Sequence, residues 1–281
     1  MESRILRGVL RVLLTNDDGL DAEGLQTLRR ALVALDDIEL AVVAPDENQS
    51  ATARSISIRR PLWVQEVPFD DGTVGYAADG TPVDCVRLAA LGLIDGFEPD
   101  VIVAGINHGA NLGDDITYSG TVAAALEGIV LGIPGIAVSQ LSERGDLDHR
   151  MGRRFAFENA AAFVARVVDR LDDVPLPDGM LLNINVPPGE IGGVEVTRLG
   201  KRVYQDRLDL IDEDSGRKLY RVYGDVPLHS DEPGTDLAAV SAGHIAITPL
   251  HFDLTAEHAM FALREYDLTQ LLVADDVDPT S

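Results

Sequence analysis

The chain has 281 residues, 46% of them hydrophobic and 5% aromatic, with 47 acidic against 23 basic side chains and a net charge of −24. The apolar content suffices for one large domain or two modest ones, and the strong negative field argues against a nucleic-acid duplex or an anionic membrane as partner. An anionic ligand would need a local reversal of that field, from a bound cation or a helix N-terminus. The single cysteine, Cys85, excludes an intrachain disulfide and a CxxC zinc site. No stretch approaches 18 consecutive apolar residues, and the opening MESRILRGVLRVLL lacks a small-residue cleavage site, so a cytoplasmic location is expected.

In chain order, RVLLTN reads as a buried strand, GLQTLRRALVAL as an amphipathic helix and ELAVVAP as a second strand that Pro45 ends. SISIRRPLWVQEV and VGYAAD read as shorter, more polar strands. TPVDCVRLAALGLI is a helix with Thr81 at the N-cap, Pro82 at the first position and Asp84 in the first turn. DVIVAGIN is a third buried strand, SGTVAAALEGIVLG a helix of small residues, and PGIAVS a fourth strand. RFAFENAAAFVARVVDRL and MLLNINVP supply a further helix and strand. The alternation predicts right-handed crossovers and an α/β core with a mostly parallel sheet covered on both faces.

Past residue 190 the texture changes. EVTRLGKRVYQ and RKLYRVYGD flank an acidic, turn-rich LDLIDEDSG, which predicts an antiparallel arm. TDLAAVSAG and HIAITPL return to the sheet as a short helix and a strand, and TAEHAMFALREYDLTQLL is a final helix capped by Thr255. The expected division is a catalytic core over 1–190, an oligomerisation arm over 191–234, and a C-terminal strand and helix over 235–281.

In an open parallel sheet, ligands bind beyond the carboxyl ends of the strands. Strand 1 delivers Asn16, Asp17 and Asp18 to that end, strand 2 APDENQSATARS, the third strand AGINHGANLGDDITYSGT and the fourth Ser139. Taken alone, an acidic pair there more often caps a helix and faces solvent. Its chemical reading is a divalent-cation site, because two hard oxygens at a rigid strand end suit Mg²⁺ or Mn²⁺ and the cation cancels their repulsion. Ser50 and Asn107 could add a hydroxyl and an amide oxygen. Ser119, Gly120 and Thr121 open the small-residue helix, either as plain capping or as an anion cradle of free N–H groups and hydroxyls. Gly105, Gly109 and Gly113 stand four apart, which fits neither GxGxxG nor the P-loop. Cys85 and the histidines His244, His251 and His258 read as packing or surface residues, and Trp63 as packed in the sheet or stacked on a base.

LLTNDDGLDAEGL, VVAPDENQSATARSISI, DGTPVDCVRLA, AGINHGANLGDDITYSGTVAAALEG, GIPGIAVS, LLNINVP and HIAITPLHFDLT, in this order, resemble the SurE family of 5′/3′-nucleotidases from about residue 11 to about 255. The resemblance implies a metal-dependent phosphomonoesterase acting on nucleoside 5′- and 3′-monophosphates. It implies one divalent cation per subunit held by Asp17, Asp18, Ser50 and Asn107. Asp17, Asp18 and Asn107 are then catalytic, and Ser119, Gly120, Thr121 and Asn16 face the substrate. It also implies a Rossmann-like core and a homodimer or homotetramer assembled through the arm. Ala53-Arg54 stands where family members frequently have Gly-His, and Ala104 where they often have Ser. Two rivals stand beside this reading: a non-catalytic nucleotide-binding module on the same fold, and a haloacid dehalogenase-type phosphatase. The latter needs two aspartates two residues apart, and the residue two before Asp18 is Asn16.

Overall fold

The computed structural model describes residues 8–145, 153–203, 208–221, 228–229, 232–266 and 268–272. The apolar runs form β1 (Leu10–Thr15), β2 (Ile38–Pro45), β4 (Val74–Ala78), β5 (Val101–His108), β6 (Gly135–Gln140) and β7 (Met180–Val186), all parallel. β3 (Val64–Pro68) runs antiparallel to β4 at one edge. At the other, β13 (His244–His251) is antiparallel to β7 and carries β8 (Gly193–Val196) parallel to itself. The nine-stranded order is β3-β4-β2-β1-β5-β6-β7-β13-β8, so the mostly parallel α/β sheet expected from the strand and helix rhythm is present.

Helices cover both faces, and the twofold alternation of the strands explains how. Val12 and Leu14 of β1 join one core with Leu25, Leu28 and Leu32 of α1 (Glu23–Val33) and Val164 and Val168 of α4 (Glu158–Asp169). Leu13 points the other way, into a core with Cys85 and Val86 of α2 (Pro82–Ala90) and Val122 and Ala125 of α3 (Gly120–Val130). α2 starts as its sequence predicts: Thr81 and Asp84 form a reciprocal capping box behind Pro82. A third, smaller core joins Ala110 and Leu112 to Leu237 and Val240 of α5 (Asp236–Ser241).

Several elements differ from expectation. SISIRRPL is not strand: β3 begins only at Val64, after the Arg59-Arg60-Pro61 stretch, and Trp63 just before it is 83% exposed instead of packed in the sheet. β8, from the segment assigned to the arm, lies in the main sheet. The arm proper contains β9 (Arg202–Val203) paired with β12 (Leu228–His229), and a hairpin of β10 (Asp209–Asp214) and β11 (Arg217–Arg221). The acidic LDLIDED is thus a strand, not a turn. Asp209, Glu213 and Asp214 sit opposite Arg221, Lys218 and Arg217, so opposite charges pair across the ladder. The turn is only Ser215-Gly216, both at positive φ (50° and 81°), as a tight hairpin requires.

Residues 252–272, where described, belong to a second unit with α6 (Glu257–Glu265) and a 3₁₀ turn at Leu268–Leu272. Thr255 is not its cap. Ala256 holds that position without a side-chain bond, because Thr255 is drawn into a turn with Asp253. No helix among the described residues is long and apolar enough to cross a membrane.

Candidate active site

The chain moves outward from β1 to β2 and β4 on one side, then restarts at β5 on the other. The carboxyl ends of β1 and β5 therefore flank a topological switch point, where open α/β sheets bind ligands. Asp17 and Asp18 follow β1 after Asn16, and Asn107 is the penultimate residue of β5.

The loops after β2 and β5 and the start of α3 are each tied to the acidic pair by at least one contact. From α3, Thr121 Oγ1 donates to Asp17 Oδ1 at 2.5 Å. A Cβ added at Gly120 would lie 2.7 Å from Asp17 Cβ and 2.8 Å from Oδ2, so only glycine lets the helix come this close. From the β2 loop, Gln49 N donates to the Asp17 carbonyl at 2.7 Å, and Asn48 Nδ2 to Asp18 Oδ1 at 3.1 Å. From β5, His108 meets Asp18 Oδ2 twice, through its backbone N–H at 3.0 Å and ring Nδ1 at 2.8 Å. Asp17, Asp18, Gly120 and Thr121 are thus brought together, with Asn107 directly before His108, Ser119 directly before Gly120, and Ser50 on the exposed loop next to Gln49.

The individual roles are sharper than the sequence suggests. Asn16 is fully buried, and both ends of its amide are used on Gly19: Nδ2 donates to the carbonyl at 2.9 Å and Oδ1 accepts from N–H at 3.2 Å. It shapes the loop that carries the aspartates. Ser119 caps α3, its Oγ accepting from Val122 N at 3.1 Å. The anion against the start of α3 is the Asp17 carboxylate itself, held by the Thr121 hydroxyl. Even so, burial and then the neighbouring Asp18 push Asp17 up to about 6. Asn107 Nδ2 donates to the Gly109 carbonyl at 2.8 Å, and among the described residues its Oδ1 makes no hydrogen bond.

The end of β5 is shaped by close backbone packing. The ladder to β6 shifts register between Ala104 and Asn107, where Gly105 takes φ +130° and a Cβ would sit 2.3 Å from the Val138 carbonyl. Behind it, a Cβ on Gly24 would lie 2.1 Å from the Ile106 carbonyl.

Four supporting groups escaped the sequence reading. His108 packs edge-on against Phe155 and Phe157, at 5.3 and 4.8 Å between ring centres, and so holds Asp18 from a fixed position. Asn183 and Asn185 of β7 both donate to the Asn111 carbonyl at 2.9 Å, while Asn111 donates to Ser139 at 2.8 Å; all four are buried. Asp236 accepts from the N–H groups of Gly113, Gly200 and Leu237. Glu127, buried on α3, pairs with Arg54 and Arg87. The N-x-N spacing in a buried strand was the one visible signal, since it sets two amides on the same face.

The fold and site define a doubly wound α/β protein in which adjacent carboxylates, an amide oxygen and a helix N-terminus meet at the switch point. Comparison with known proteins narrows this. The family described as "Survival protein SurE" matches residues 12–206. The chain is 49% identical over 268 residues to the 5′-nucleotidase SurE of Rubrobacter xylanophilus, covering 94% of this chain and all of that protein. It is 44% identical to the protein of the same name from Chloroflexus aggregans, over 91% and 98% of the two chains. The crystal structure of the SurE protein from Aquifex aeolicus superposes with a TM-score of 0.73 at 36% identity, covering 91% of this chain and 98% of that one. The chain belongs to the SurE family.

Proposed function

We propose that this chain is a divalent-cation-dependent 5′-nucleotidase, a phosphomonoesterase that releases phosphate from nucleoside 5′-monophosphates and also from 3′-monophosphates. The observation that carries the reading is the buried Asp17 bonded to the start of α3, with the half-buried Asp18 next to it bonded to His108, the residue after Asn107, whose Oδ1 makes no hydrogen bond among the described residues. The relatives' printed activity supports the substrate class.

The donor set fits one hard cation, Mg²⁺ or Mn²⁺: two carboxylates, the Ser50 hydroxyl and the Asn107 amide oxygen, all oxygen. The raised Asp17 is the mark of a carboxylate short of compensating positive charge, which such a cation would supply. The chemistry that a cation contributes at this position is polarisation of a phosphoryl oxygen and a lowered pKa for bound water.

The remaining work falls to the chain. Thr121 locks Asp17, and His108 and Asn48 lock Asp18, so neither carboxylate reorganises as charge develops. Ser119 Oγ accepts from Val122 N, which leaves its own proton to donate to a phosphoryl oxygen. The Gly120 N–H, at the first turn of α3, lacks an intrahelical partner and can do the same. Asp17 orients the attacking water. Asn16 acts through the loop it closes. The protein acts in the cytoplasm, a reading that rests on its single, buried cysteine. It acts as a homodimer or homotetramer, supported by the exposed Leu210, Ile211, Leu219 and Tyr220 of the arm.

The test is phosphate release from a panel of 5′- and 3′-monophosphates with Mg²⁺, Mn²⁺ or EDTA. Asp17→Asn and Asp18→Asn are each expected to lose activity by orders of magnitude while circular dichroism stays unchanged. Full turnover in EDTA overturns the metal reading.

A further inference from the structure

Of the four proposed cation ligands, Ser50 is the exposed one, and it lies on a long loop between β2 and β3. The loop is under backbone strain beside it. Ala51 and Ala53 hold left-handed conformations, φ 61° and 52°, which side chains with a Cβ disfavour. Something must therefore keep the segment in place. Before Ser50, Gln49 N is bonded to the Asp17 carbonyl at 2.7 Å. Further on, Ser57 N donates to Asp84 Oδ1 at 3.0 Å and the Ser55 carbonyl accepts from Thr81 at 2.8 Å. Between these anchors, Arg54 reaches from the loop to the body of the protein. Its Nη2 lies 2.7 Å from Glu127 Oε2.

Glu127 is an unusual anchor. Its side chain is only 2% exposed, and Arg87 of α2 sits 2.5 Å from its other oxygen. A buried carboxylate holds its cationic partners tightly, because releasing one leaves charge without solvent. Glu127 is also on α3, seven residues after Gly120, which is two turns or about 10 Å along the same helix. That one helix fixes Asp17 at its N-terminus through Thr121 and grips the Ser50 loop through Glu127. Two ligands from different strands are thereby referred to a single rigid body.

We propose that Arg54 is a positioning residue: its ion pair with Glu127 pins the 48–57 loop to α3 and sets where Ser50 presents its hydroxyl to the cation. The inference rests on Ser50 being a ligand. Arg87 provides the internal control. It reaches the same carboxylate at a similar distance, but from α2, which carries no proposed ligand and meets the loop at Ser55 and Ser57, beyond Arg54. A merely structural ion-pair cluster would treat the two arginines alike.

The experiment measures Mn²⁺ binding to the full chain by calorimetry without nucleotide, together with amide hydrogen exchange over residues 48–57. The variants are Arg54→Ala, Arg54→Lys, Arg87→Ala, Ser50→Ala and the Arg54→Ala/Ser50→Ala double. Arg54→Ala is expected to weaken Mn²⁺ about tenfold, the scale of losses from groups that orient metal ligands, and to speed exchange in the loop. Arg54→Lys recovers most of the affinity. Arg87→Ala lowers the melting temperature but keeps Mn²⁺ affinity. In the Ser50→Ala background, Arg54→Ala adds nothing further, as expected when one residue acts through the other. Equal loss of affinity in Arg54→Ala and Arg87→Ala overturns the proposal. So does a raised KM for nucleotide with unchanged Mn²⁺ affinity, which would make Arg54 a substrate contact. If Ser50→Ala itself binds Mn²⁺ normally, Ser50 is not a ligand and the site reading falls as well. If Ser50→Ala weakens binding and Arg54→Ala does not, the site stands and only the positioning role is lost.

Discussion

Gly120→Ala tests the contact between α3 and Asp17 most directly. The added Cβ would lie 2.7 Å from Asp17 Cβ, 2.8 Å from Oδ2 and 3.1 Å from Cγ. Carbon–carbon contacts settle near ~3.5–4.0 Å, so one side must retreat by about 1 Å. Neither side is loose: Asp17 is 3% exposed and bonded to Thr121 at 2.5 Å, while Val122, Ala124 and Ala125 are fully buried in the core. Overpacking of this kind costs ~1–3 kcal/mol, and the better helix propensity of alanine recovers at most ~1 kcal/mol. The expected net loss is about 1–2 kcal/mol, which lowers the melting temperature by ~2–8 °C. The larger effect is on the site, since a misplacement of about 1 Å can cost ~100-fold in function. Mn²⁺ affinity by calorimetry should fall at least tenfold, and turnover with it. Gly128→Ala is the control. On the same helix, its Cβ would meet Ile102 Cδ1 at 2.5 Å and the Ile133 carbonyl at 2.9 Å, so it should lose stability but keep Mn²⁺ affinity. A Gly120→Ala protein that melts lower yet binds Mn²⁺ like the parent would refute the reasoning.

Three further outcomes are expected. Burial, then Asp114 and Asp236, push Asp115 from 3.8 up to about 7. A carboxyl raised in the folded state favours folding only while protonated, so its cost is absent below pH ~4 and grows as pH rises to ~7. Asp115→Asn should accordingly raise the melting temperature at pH 8 and barely at pH 4, and an equal rise at both would contradict this. Ala53→Val should destabilise the chain by ~1–2 kcal/mol in urea unfolding, because a β-branched residue tolerates φ 52° worse than alanine, whereas Ala53→Gly should not. Replacing residues 203–223 with a short Gly/Ser turn should lower the mass seen by light scattering. An intact protein that is monomeric at micromolar concentration would remove the arm from the assembly.

The parts of this structure legible in the sequence are those fixed by local chemistry. Continuous apolar runs gave β1, β2, β5 and β7, and Thr81-Pro82-Val83-Asp84 spelled out the start of α2, because both signals act within a few residues. The acidic pair was legible for the same reason: a strand end places whatever follows it. LDLIDED was misread because a run of acids resembles a solvated turn until its partner is known. The basic Arg217, Lys218 and Arg221 that neutralise it lie on the returning strand. Trp63 fails similarly, since its apolar neighbours suggest a strand that begins only one residue later. In the site, His108, Asn111, Asn183 and Glu127 were invisible as a set. Their partners lie 90, 28, 72 and 73 positions away, and no local pattern encodes such a pairing.

The distribution of arginines shows why the acidic pair asks for something the described residues do not provide. Among the described residues, Arg11 goes to Asp100, Arg29 to Asp71, Arg60 to Asp79, and both Arg54 and Arg87 to Glu127. None of these ion pairs involves Asp17 or Asp18, although Arg54 lies four positions from Ser50 and Asn48 already touches Asp18. A guanidinium in that place would satisfy the carboxylates permanently and close the site. Instead the pair receives only neutral donors from Thr121 and Asn48, the contacts of His108, and the partial positive end of α3. These hold the geometry but leave Asp17 raised to about 6. Placing two arginines on Glu127, two turns down the same helix, keeps fixed positive charge near the site without letting it occupy the ligand positions. The remaining deficit is one that a removable divalent ion would meet under the proposed function: it would cancel the two carboxylates and let a protein of net charge −24 accept an anionic phosphate.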